Sequence, residues 1–365
     1  MNEERVNDRI AIITGITGQD GSLLADLLLS KDYRVFGVAR RSARGLGNAS
    51  HLVGQPGFDL VEADVTDLAS LVRLCAIAKA HEFYNLAAQS HVGRSFKEPI
   101  ATWQATALGA LNCLEAIRLS GLHTRFYQAS TSEMFGGTGY NGGKMLNEDS
   151  EFHPRSPYGV AKLAAHWQTV NYRESYRMFA VSGILFNHES PRRGAEFVTR
   201  KITLGIAAVK AGKADSISLG NLDAQRDWGW APDFVRGMWL MLQQGEPRDY
   251  VLGTGKAHSV RDFCEAALAA AGIEGGCAKW IKVDPALYRP AEVEVLLADP
   301  WRAKEGLGWV PSVGFDEMVR QMVEADCGKR EMGSRALCGY CRAEAGKEAH
   351  AASCPSSRYV ANPVC

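Results

Sequence analysis

The stretch from Arg9 to Ser30, "RIAIITGITGQDGSLLADLLLS", decides the fold. It opens with an isoleucine-rich apolar run, typical of a buried strand, and closes with a leucine-rich run of helical length. Gly15, Gly18 and Gly21 lie between the two runs. Glycines at such a turn let the backbone N–H groups of a helix N-terminus approach a pyrophosphate. The stretch therefore predicts a strand, a glycine-rich turn and a helix that together bind a dinucleotide.

The same alternation continues through the first half of the chain. Apolar runs at 33–39, 82–87 and 124–130 are strand-like, and runs at 68–78 and 107–120 have helical length. Short strands that alternate with helices favour a parallel sheet with helices on both faces. Ligands of such sheets bind outside the carboxyl ends of the strands. We therefore expect the functional residues at those ends.

The alternation weakens after about residue 190, where polar, arginine-rich loops separate short elements. We predict an α/β fold with a Rossmann-type doubly wound parallel sheet in residues 1–190, to which some later segments return. A smaller C-terminal α/β lobe, residues 191–326, is predicted to bind the substrate. Residues 327–365 form a cysteine-rich tail that we expect to be disordered.

Composition and charge narrow the classes of function. The chain has 365 residues, 46% of them hydrophobic, which is enough for a large core. Lys+Arg and Asp+Glu both number 41, so the charge balance gives no reason to expect a nucleic acid or a membrane as partner. The N-terminus "MNEERVNDR" is not a secretory signal, and no run approaches the roughly 18 apolar residues of a spanning helix. We expect a cytoplasmic protein whose body, with Cys75, Cys113, Cys264 and Cys277, is reduced.

The end of the second predicted strand points to the identity of the dinucleotide. NAD enzymes usually place an acidic residue there for the ribose 2′-hydroxyl, whereas this chain has Arg40, Arg41 and Ser42. Guanidinium groups pair with phosphate oxygens, so these residues suit a 2′-phosphate and predict NADP. A solvated basic loop is the alternative.

Two further segments carry chemistry. Tyr158 and Lys162 are four residues apart in a helix-like run, so the phenol and the ammonium share one face. A nearby ammonium favours the phenolate and lowers the pKa of the tyrosine. The segment "QASTSEMFG" supplies Thr131, Ser132 and Glu133 at the end of a predicted strand. A hydroxyl, a tyrosine and a lysine in this combination resemble the extended short-chain dehydrogenase/reductase superfamily.

Longer runs make the resemblance more specific. The segments "GITGQDGS", "YNLAAQSHVG", "PRSPYGVAK", "GILFNHESPRRG", "GNLDAQRDWG" and "RPAEVEVLLADP" are similar in order and wording to the GDP-mannose 4,6-dehydratases, over about residues 9–326. The resemblance implies an NADP-dependent hydro-lyase that converts GDP-α-D-mannose to GDP-4-dehydro-6-deoxy-D-mannose and water. Such an enzyme oxidises C4, eliminates water across C5 and C6, and returns the hydride to C6.

The resemblance also implies roles for individual residues. Thr131 positions the C4 hydroxyl, Tyr158 accepts its proton, Lys162 holds Tyr158 and the nicotinamide ribose, and Glu133 serves C5 and C6. The implied NADP contacts are Gly15, Ile16, Thr17, Gly18, Gln19, Asp20, Gly21, Arg40, Asp64, Val65, Leu86, Ala87, Ala88, Gln89, Ser90, Lys162, His188 and Arg193. The implied GDP-mannose contacts are Ser132, Asn187, Val198, Lys201, Arg226, Arg289 and Glu292. No metal site is expected among these residues.

A homo-oligomer, dimer or tetramer, is implied in the same way, because in many members the "RRSA" loop and Arg193 reach a neighbouring subunit's cofactor. Two positions depart from the family pattern. Ala101 stands where many members have a tyrosine that contacts the cofactor, and Trp103 is the candidate to replace it. Gln225 stands where a lysine is usual, beside Arg226.

The tail and the overall function leave alternatives open. Cys338, Cys341, His350 and Cys354 have the residue types of a zinc site, which is the alternative to disorder. For the whole chain, the alternatives are another sugar-nucleotide 4,6-dehydratase, a 4-epimerase, or a non-catalytic NADP-binding regulator. Glu133 distinguishes a dehydratase from a 4-epimerase, because an epimerase does not require this carboxylate.

Overall fold

A computed structural model describes residues 9–41, 45–288, 291 and 293–331. Ser42, Arg289 and Glu292 lie outside these ranges, as do the four candidate zinc ligands of the tail. Their predicted roles are therefore not tested by the structure.

The elements alternate through the first half of the chain as predicted. The strands are β1 (Ile10–Thr14), β2 (Arg34–Ala39), β3 (Phe58–Glu62), β4 (Glu82–Asn85), β5 (Arg125–Thr131), β6 (Ala180–Leu185), β7 (Asn187–Glu189), β8 (Ile217–Leu219), β9 (Gln225–Trp230), β10 (Tyr250–Leu252), β11 (Ala257–Ser259), β12 (Ile281–Val283) and β13 (Val295–Leu296). The helices are α1 (Gln19–Leu29), α2 (Leu68–Ala78), α3 (Val92–Lys97), α4 (Pro99–Trp103), α5 (Gly109–Ser120), α6 (Pro157–Tyr176), α7 (Val198–Lys210), α8 (Ala231–Leu242), α9 (Val260–Ala271), α10 (Gly276–Trp280), α11 (Trp301–Leu307) and α12 (Phe315–Glu331). Within the described ranges, none of these helices is long and apolar enough to cross a bilayer.

The main sheet has seven strands in the order β10-β6-β5-β4-β1-β2-β3. All of its strand pairs are parallel. The chain order reverses between β1 and β4, which is the topological switch point where such sheets bind ligands. The prediction of a Rossmann-type doubly wound sheet is confirmed.

Apolar residues cover both faces of this sheet because successive strand residues point to opposite sides. On one face, Leu24 and Met238 from α1 and α8 belong to the same buried cluster as Tyr84 of β4. On the other face, Cys113 of α5 and Tyr172 of α6 belong to a second cluster with Phe83 of β4. The strand ends are thus held rigidly between two layers of helices.

The chain passes back and forth between its two halves. Strand β10 pairs with β6 at the edge of the main sheet, and α8 packs against α1, so these later segments return to the first half. Helix α11 packs with them, against β10 and α8. A separate apolar cluster around Trp228, Phe263 and Met322 brings together α7, α9 and α12 of the second lobe. Helix α12 continues beyond the predicted boundary at residue 326, as far as Glu331.

Asp227 ties β9 of this lobe to two loops. Its carboxylate accepts hydrogen bonds from the backbone N–H groups of Thr254 at 2.8 Å, Gly255 at 2.8 Å and Ala298 at 3.3 Å, and from the Thr254 hydroxyl at 2.7 Å. Burial raises the pKa of Asp227, and these donors oppose that rise. The neighbouring residue Arg226 is thereby fixed beside the carboxyl edge of the main sheet.

Candidate active site

Two adjoining cavities lie at the carboxyl edge of the main sheet. The first has a volume of about 1120 Å³ and the second about 690 Å³. They share walls formed by Gly15, Thr17, Leu86, Ala88 and Ser90. The turns after β1 and β4 therefore form the boundary between the two cavities. This is the switch point at which a doubly wound sheet binds its ligands.

The glycine-rich turn needs two of its glycines for steric reasons. Gly15 has φ +72°, and a Cβ there would lie 2.9 Å from the backbone nitrogen of Ala87. A Cβ on Gly21 would lie 2.4 Å from the carbonyl oxygen of Gly15. Helix α1 begins after Gly18 with no side-chain cap, so its first N–H groups are left to the cavity. This wall suits an anionic group.

Asp20, in the first turn of α1, pairs with His188 of β7. The distance from His188 Nε2 to Asp20 Oδ2 is 2.9 Å, and His188 Nδ1 lies 2.7 Å from the carbonyl oxygen of Phe186. Burial alone would raise the pKa of Asp20, but the charge of His188 and its hydrogen bond lower this pKa to about 2. Burial lowers the pKa of His188, and Asp20 more than restores it, so the net shift is upward.

The sequence around Tyr158 places it at the start of a helix. Ser156 caps α6, accepting a hydrogen bond from the Gly159 N–H at 3.0 Å, and Pro157 occupies the first helical position. Tyr158 and Lys162 consequently face the sheet, and both are buried. Thr131 ends β5, and a 3₁₀ turn at Ser132–Met134 follows it. All of the predicted catalytic residues line the first cavity: Thr131, Glu133, Tyr158 and Lys162.

The electrostatics of this group differ from the sequence-based expectation. Burial raises the pKa of Tyr158, while a hydrogen bond with Thr131 and the charge of Arg193 oppose the rise. The Lys162 ammonium lies 5.9 Å from the centre of the Tyr158 ring and donates a hydrogen bond to the carbonyl oxygen of Ala129 at 2.6 Å. Burial lowers the pKa of Lys162 to about 8. The phenol is thus protonated at neutral pH, and a positive charge brought next to it would favour the phenolate.

The predicted substrate contacts lie in the same cavity. Ser132, Asn187, Val198, Lys201 and Arg226 all line it, together with the four catalytic candidates. Lys201 and Arg226 bring two cations to this wall, which suits the diphosphate of a sugar nucleotide. Arg289 and Glu292 lie outside the described residues.

The predicted cofactor contacts divide between the two cavities. Lining the first are Gly15, Thr17, Gly18, Gln19, Asp20, Gly21, Leu86, Ala88, Ser90, Lys162, His188 and Arg193. Lining the second are Arg40, Asp64, Val65, Ala87 and Gln89, with Gly15, Thr17, Gly18, Leu86, Ala88 and Ser90 shared. Ile16 lines neither, because its side chain is fully buried in the core under the sheet.

The second cavity also contains a departure from the family pattern. Ala101 and Ala105 line it, whereas Trp103, the candidate replacement for the missing tyrosine, lines neither cavity and is largely exposed. Arg41 is also exposed, with its Nε 3.9 Å from an oxygen of Glu62. Arg40 is therefore the one described arginine of this loop that lines the cavity.

Sequence reasoning missed part of the wall. Glu189 is buried and lines the first cavity, where its Oε2 accepts a hydrogen bond from the Thr199 hydroxyl at 2.6 Å. The same oxygen lies 3.2 Å from Nε of Arg193, whose guanidinium also stacks on the Phe197 ring. Arg193 thus faces the cleft of its own subunit. The run "NHES" gave no signal for Glu189, because polar residues outside a regular pattern read as loop.

Comparison with known proteins identifies the family of this chain. The family model for GDP-mannose 4,6 dehydratase matches residues 12–322. GDP-mannose 4,6-dehydratase of Vibrio cholerae is 48% identical over 354 residues, covering 88% of this chain and 94% of that protein. The human GDP-mannose 4,6 dehydratase is 48% identical over 341 residues, covering 87% of this chain and 91% of that protein.

A solved structure supports the fold. RMD from Pseudomonas aeruginosa, complexed with NADPH, superposes with a TM-score of 0.73 at 23% identity and covers 88% of this chain and all of that one, 100%. The family resemblance predicted from the sequence is confirmed, and with it the enzyme class, since the family's members are hydro-lyases by name. This chain belongs to the GDP-mannose 4,6-dehydratase family.

Proposed function

We propose that this chain converts GDP-mannose to GDP-4-dehydro-6-deoxy-D-mannose and water with NADP. The observation that carries the proposal is that Thr131, Glu133, Tyr158 and Lys162 line one cavity together with Lys201 and Arg226. Family membership supports the reaction. The cavity offers the four catalytic candidates to the sugar and two cations to the diphosphate. The 4-epimerase and regulator readings find no support in the family comparison.

The residues fit a dinucleotide with a 2′-phosphate. The uncapped start of α1 supplies N–H donors for the pyrophosphate, and the two joined cavities give room for an extended ligand. Arg40, at the end of β2, lines the far cavity, where its guanidinium would pair with the 2′-phosphate. NADP held there would supply the hydride chemistry, as acceptor from C4 and donor to C6.

The remaining steps fall to the chain's own groups. Tyr158 takes the proton of the C4 hydroxyl, and Thr131, within hydrogen-bonding reach of the phenol, orients that hydroxyl. The positive charge of Lys162 stabilises the phenolate form of Tyr158, which is the form that accepts this proton. Once C4 is a ketone, the C5 proton is acidic, and the Glu133 carboxylate removes it. Glu133 then donates this proton to the C6 hydroxyl, which departs as water as the C5–C6 double bond forms. Glu133 lies close enough to Tyr158 for its charge to raise the pKa of the phenol, so both groups reach one sugar ring.

We also propose that the chain forms a homo-oligomer, a dimer or a tetramer. Helices α4 and α6 pack together, and large apolar side chains on their outer faces and on the turn after α4 are exposed. These side chains are Ile100, Trp103, Leu108, Val160 and Trp167. Several large apolar side chains exposed on two neighbouring helices are typical of an interface. Light scattering on the wild type and on Trp167→Glu tests it: a monomeric wild type contradicts the proposal.

A cytoplasmic location is proposed as well. The five described cysteines carry free thiols: Cys75, Cys113, Cys264, Cys277 and Cys327. Such a set fits a reducing compartment.

The experiment that tests the function is a panel of sugar nucleotides. Purified protein with NADP is incubated with GDP-mannose, dTDP-glucose and UDP-glucose, and each product is analysed by mass spectrometry and NMR. We expect a product lighter by one water, with a C4 ketone and a C6 methyl, from GDP-mannose alone. Release of an epimer without loss of water would favour the 4-epimerase, and turnover of dTDP-glucose instead would place the chain with another dehydratase specificity.

A further inference from the structure

A row of polar side chains crosses the main sheet below the active site. Thr14 of β1 is the register partner of Asn85 of β4, and Asn85 is the register partner of Gln128 of β5. The three residues are 0%, 1% and 1% exposed. Polar groups buried this deeply destabilise a fold unless hydrogen bonds satisfy them. The hydrogen-bond partners of these three side chains therefore indicate the role of the row.

The hydrogen bonds of this row run in one direction. The Thr14 hydroxyl oxygen accepts from the N–H groups of Leu86 at 3.1 Å and Ala87 at 3.2 Å, so its own hydrogen goes to Asn85 Oδ1, 2.7 Å away. That bond fixes the orientation of the Asn85 amide. Asn85 Nδ2 then donates to Gln128 Oε1 at 2.8 Å, which fixes the orientation of the Gln128 amide in turn.

The row ends at the lysine of the active site. Gln128 Nε2 donates to the carbonyl oxygen of Ala129 at 2.8 Å, and Lys162 Nζ donates to the same oxygen at 2.6 Å. A carbonyl oxygen has two lone pairs, and these two donors occupy them. Strand β4 ends at Asn85, opposite Gln128, whereas β5 continues to Thr131. The shared carbonyl thus lies just past the end of the neighbouring strand.

We propose that Gln128 is a positioning residue for Lys162. Its amide, oriented by Asn85 and Thr14, fills one lone pair of the Ala129 carbonyl oxygen and so confines the lysine ammonium to the other, one helical turn from Tyr158. Without the amide, the ammonium can move along the oxygen and away from the phenol. The inference rests on the proposed role of Lys162 beside Tyr158. It also links the turn after β4, which lines the cofactor cavities, to the catalytic lysine.

Two substitutions test this. Gln128→Met keeps the length and apolar packing of the side chain but removes the donor. Gln128→Glu keeps the acceptor for Asn85 and places an oxygen where Nε2 donates, facing the ammonium. The matched control is Ser182→Ala, because Ser182 is the register partner of Gln128 on β6, is equally buried, and its hydroxyl has no hydrogen-bond partner in the described part of the chain.

The first readout is independent of the reaction. Full-length protein labelled with ¹⁵N-lysine is titrated, and the Nζ signal of Lys162 is assigned by its absence in Lys162→Arg. Gln128→Glu is expected to raise the titration midpoint of Lys162 by about 1 to 3 pH units, because an opposite charge then faces the ammonium. Ser182→Ala is expected to leave it unchanged. An unchanged midpoint in Gln128→Glu overturns the proposal.

The second readout is kinetic. Gln128→Met is expected to lower kcat on the order of 10- to 100-fold with little change in KM, because the reacting groups are misplaced while the nucleotide contacts remain. Wild-type kcat in Gln128→Met, or an equal loss in Ser182→Ala, overturns the proposal and leaves a structural role only. A wild type without dehydratase activity contradicts the proposed function instead, and the lysine titration then still decides the role of Gln128. Should Gln128→Met fail to fold, the near-isosteric Gln128→Glu decides alone.

Discussion

His188 Nε2 lies 2.9 Å from Asp20 Oδ2, and this contact joins strand β7 to the first turn of helix α1. His188 is buried and Asp20 is partly exposed, and the His188 ring also stacks on Phe234 with centroids 4.5 Å apart. The carboxylate stands in the turn that we propose for the pyrophosphate, so the imidazolium offsets a negative charge at an anion site. Two consequences for pH follow from the shifted pKa values.

The first prediction concerns stability against pH. The pKa of His188 is raised in the folded state, so its contribution is full below about pH 6.5 and is lost as the pH rises through the folded-state pKa. The pKa of Asp20 is lowered from 3.8 to about 2, so its contribution is full above pH 3.8 and lost as the pH falls through 2. The interaction with His188 is the largest cause that lowers the pKa of Asp20, with smaller contributions from Gln19 and Arg193, and the net shift of Asp20 corresponds to about 2 kcal/mol.

Thermal unfolding of wild type and His188→Gln across pH 5 to 9 measures this. The melting temperature of the variant should be a few degrees below that of the wild type at pH 5 to 6. The difference should be smaller at pH 9, where the wild type has also lost the charge interaction and only the ring stacking still separates the two proteins. His51→Gln is the control, since His51 pairs with Asp26 at 2.7 Å on the exposed surface. A gap between wild type and His188→Gln that does not narrow with rising pH would contradict the prediction.

The second prediction concerns Glu133. In Glu133→Gln the hydroxyl, tyrosine and lysine are intact, so C4 oxidation should persist, whereas dehydration should fall by roughly 10²- to 10⁴-fold because an amide cannot accept the C5 proton. Single-turnover absorbance at 340 nm reports the oxidation and mass spectrometry the dehydration. In D₂O the wild-type product should gain deuterium at C5 and keep its transferred hydrogen at C6. Near-normal turnover in Glu133→Gln, or a retained C5 hydrogen in the wild type, would show that the carboxylate has another role.

The third prediction concerns the choice of cofactor. Arg40 lines the second cavity and Arg41 does not, so Arg40→Ala should weaken NADP binding about 10- to 100-fold, as expected for one lost charge-assisted hydrogen bond. NAD binding should be unaffected, since it lacks the 2′-phosphate. Arg41→Ala, the adjacent control, should lose much less. Calorimetry measures the affinity of each of the three proteins for NADP and for NAD, and equal affinity of the wild type for both cofactors would refute the assignment.

The fourth prediction concerns the C-terminus. Asp326 is buried, with Oδ1 2.7 Å from Nη2 of Arg200 and Oδ2 accepting from the Thr203 hydroxyl at 2.8 Å. Cys327 packs against the apolar core of the second lobe. A chain that ends at Glu331 should therefore keep its melting temperature and activity, whereas one that ends at Asp326 places a second carboxylate beside a buried one and should melt earlier. Stoichiometric zinc that is present in the full chain and lost on truncation at Glu331 would favour the metal site over disorder.

Much of this arrangement could be predicted from the sequence because it is local. The strand, glycine turn and helix at 9–30 are contiguous, and Tyr158 and Lys162 are one helical turn apart, so periodicity alone brings these groups to a defined place. The end of β5 could be found in the same way, from an apolar run that stops at Thr131. These features need no knowledge of distant parts of the chain.

The missed features all depend on distant contacts. The segment "EFYNLA" reads as an apolar strand, and only the sheet register shows that Asn85 meets Thr14 and Gln128 in the interior. The Lys162 ammonium was expected to act on Tyr158, but a carbonyl from β5 competes for it. The last turn of α12 is polar in sequence, so the helix could not be extended to Glu331 without seeing Asp326 bound to α7.

The return of β10 to the edge of the main sheet has a consequence for synthesis on the ribosome. A nascent chain that has emerged only as far as β6 has an incomplete sheet, with the unpaired edge of β6 open to other chains. Helix α8, which covers the same face as α1, has not yet emerged either. The main sheet can be completed only after Leu252 has left the exit tunnel. The folding of the domain built on this sheet must therefore wait until part of the second lobe has been translated. Chains stalled shortly after residue 190 should accordingly be sensitive to protease and bind chaperones, and chains stalled well beyond Leu252 should not.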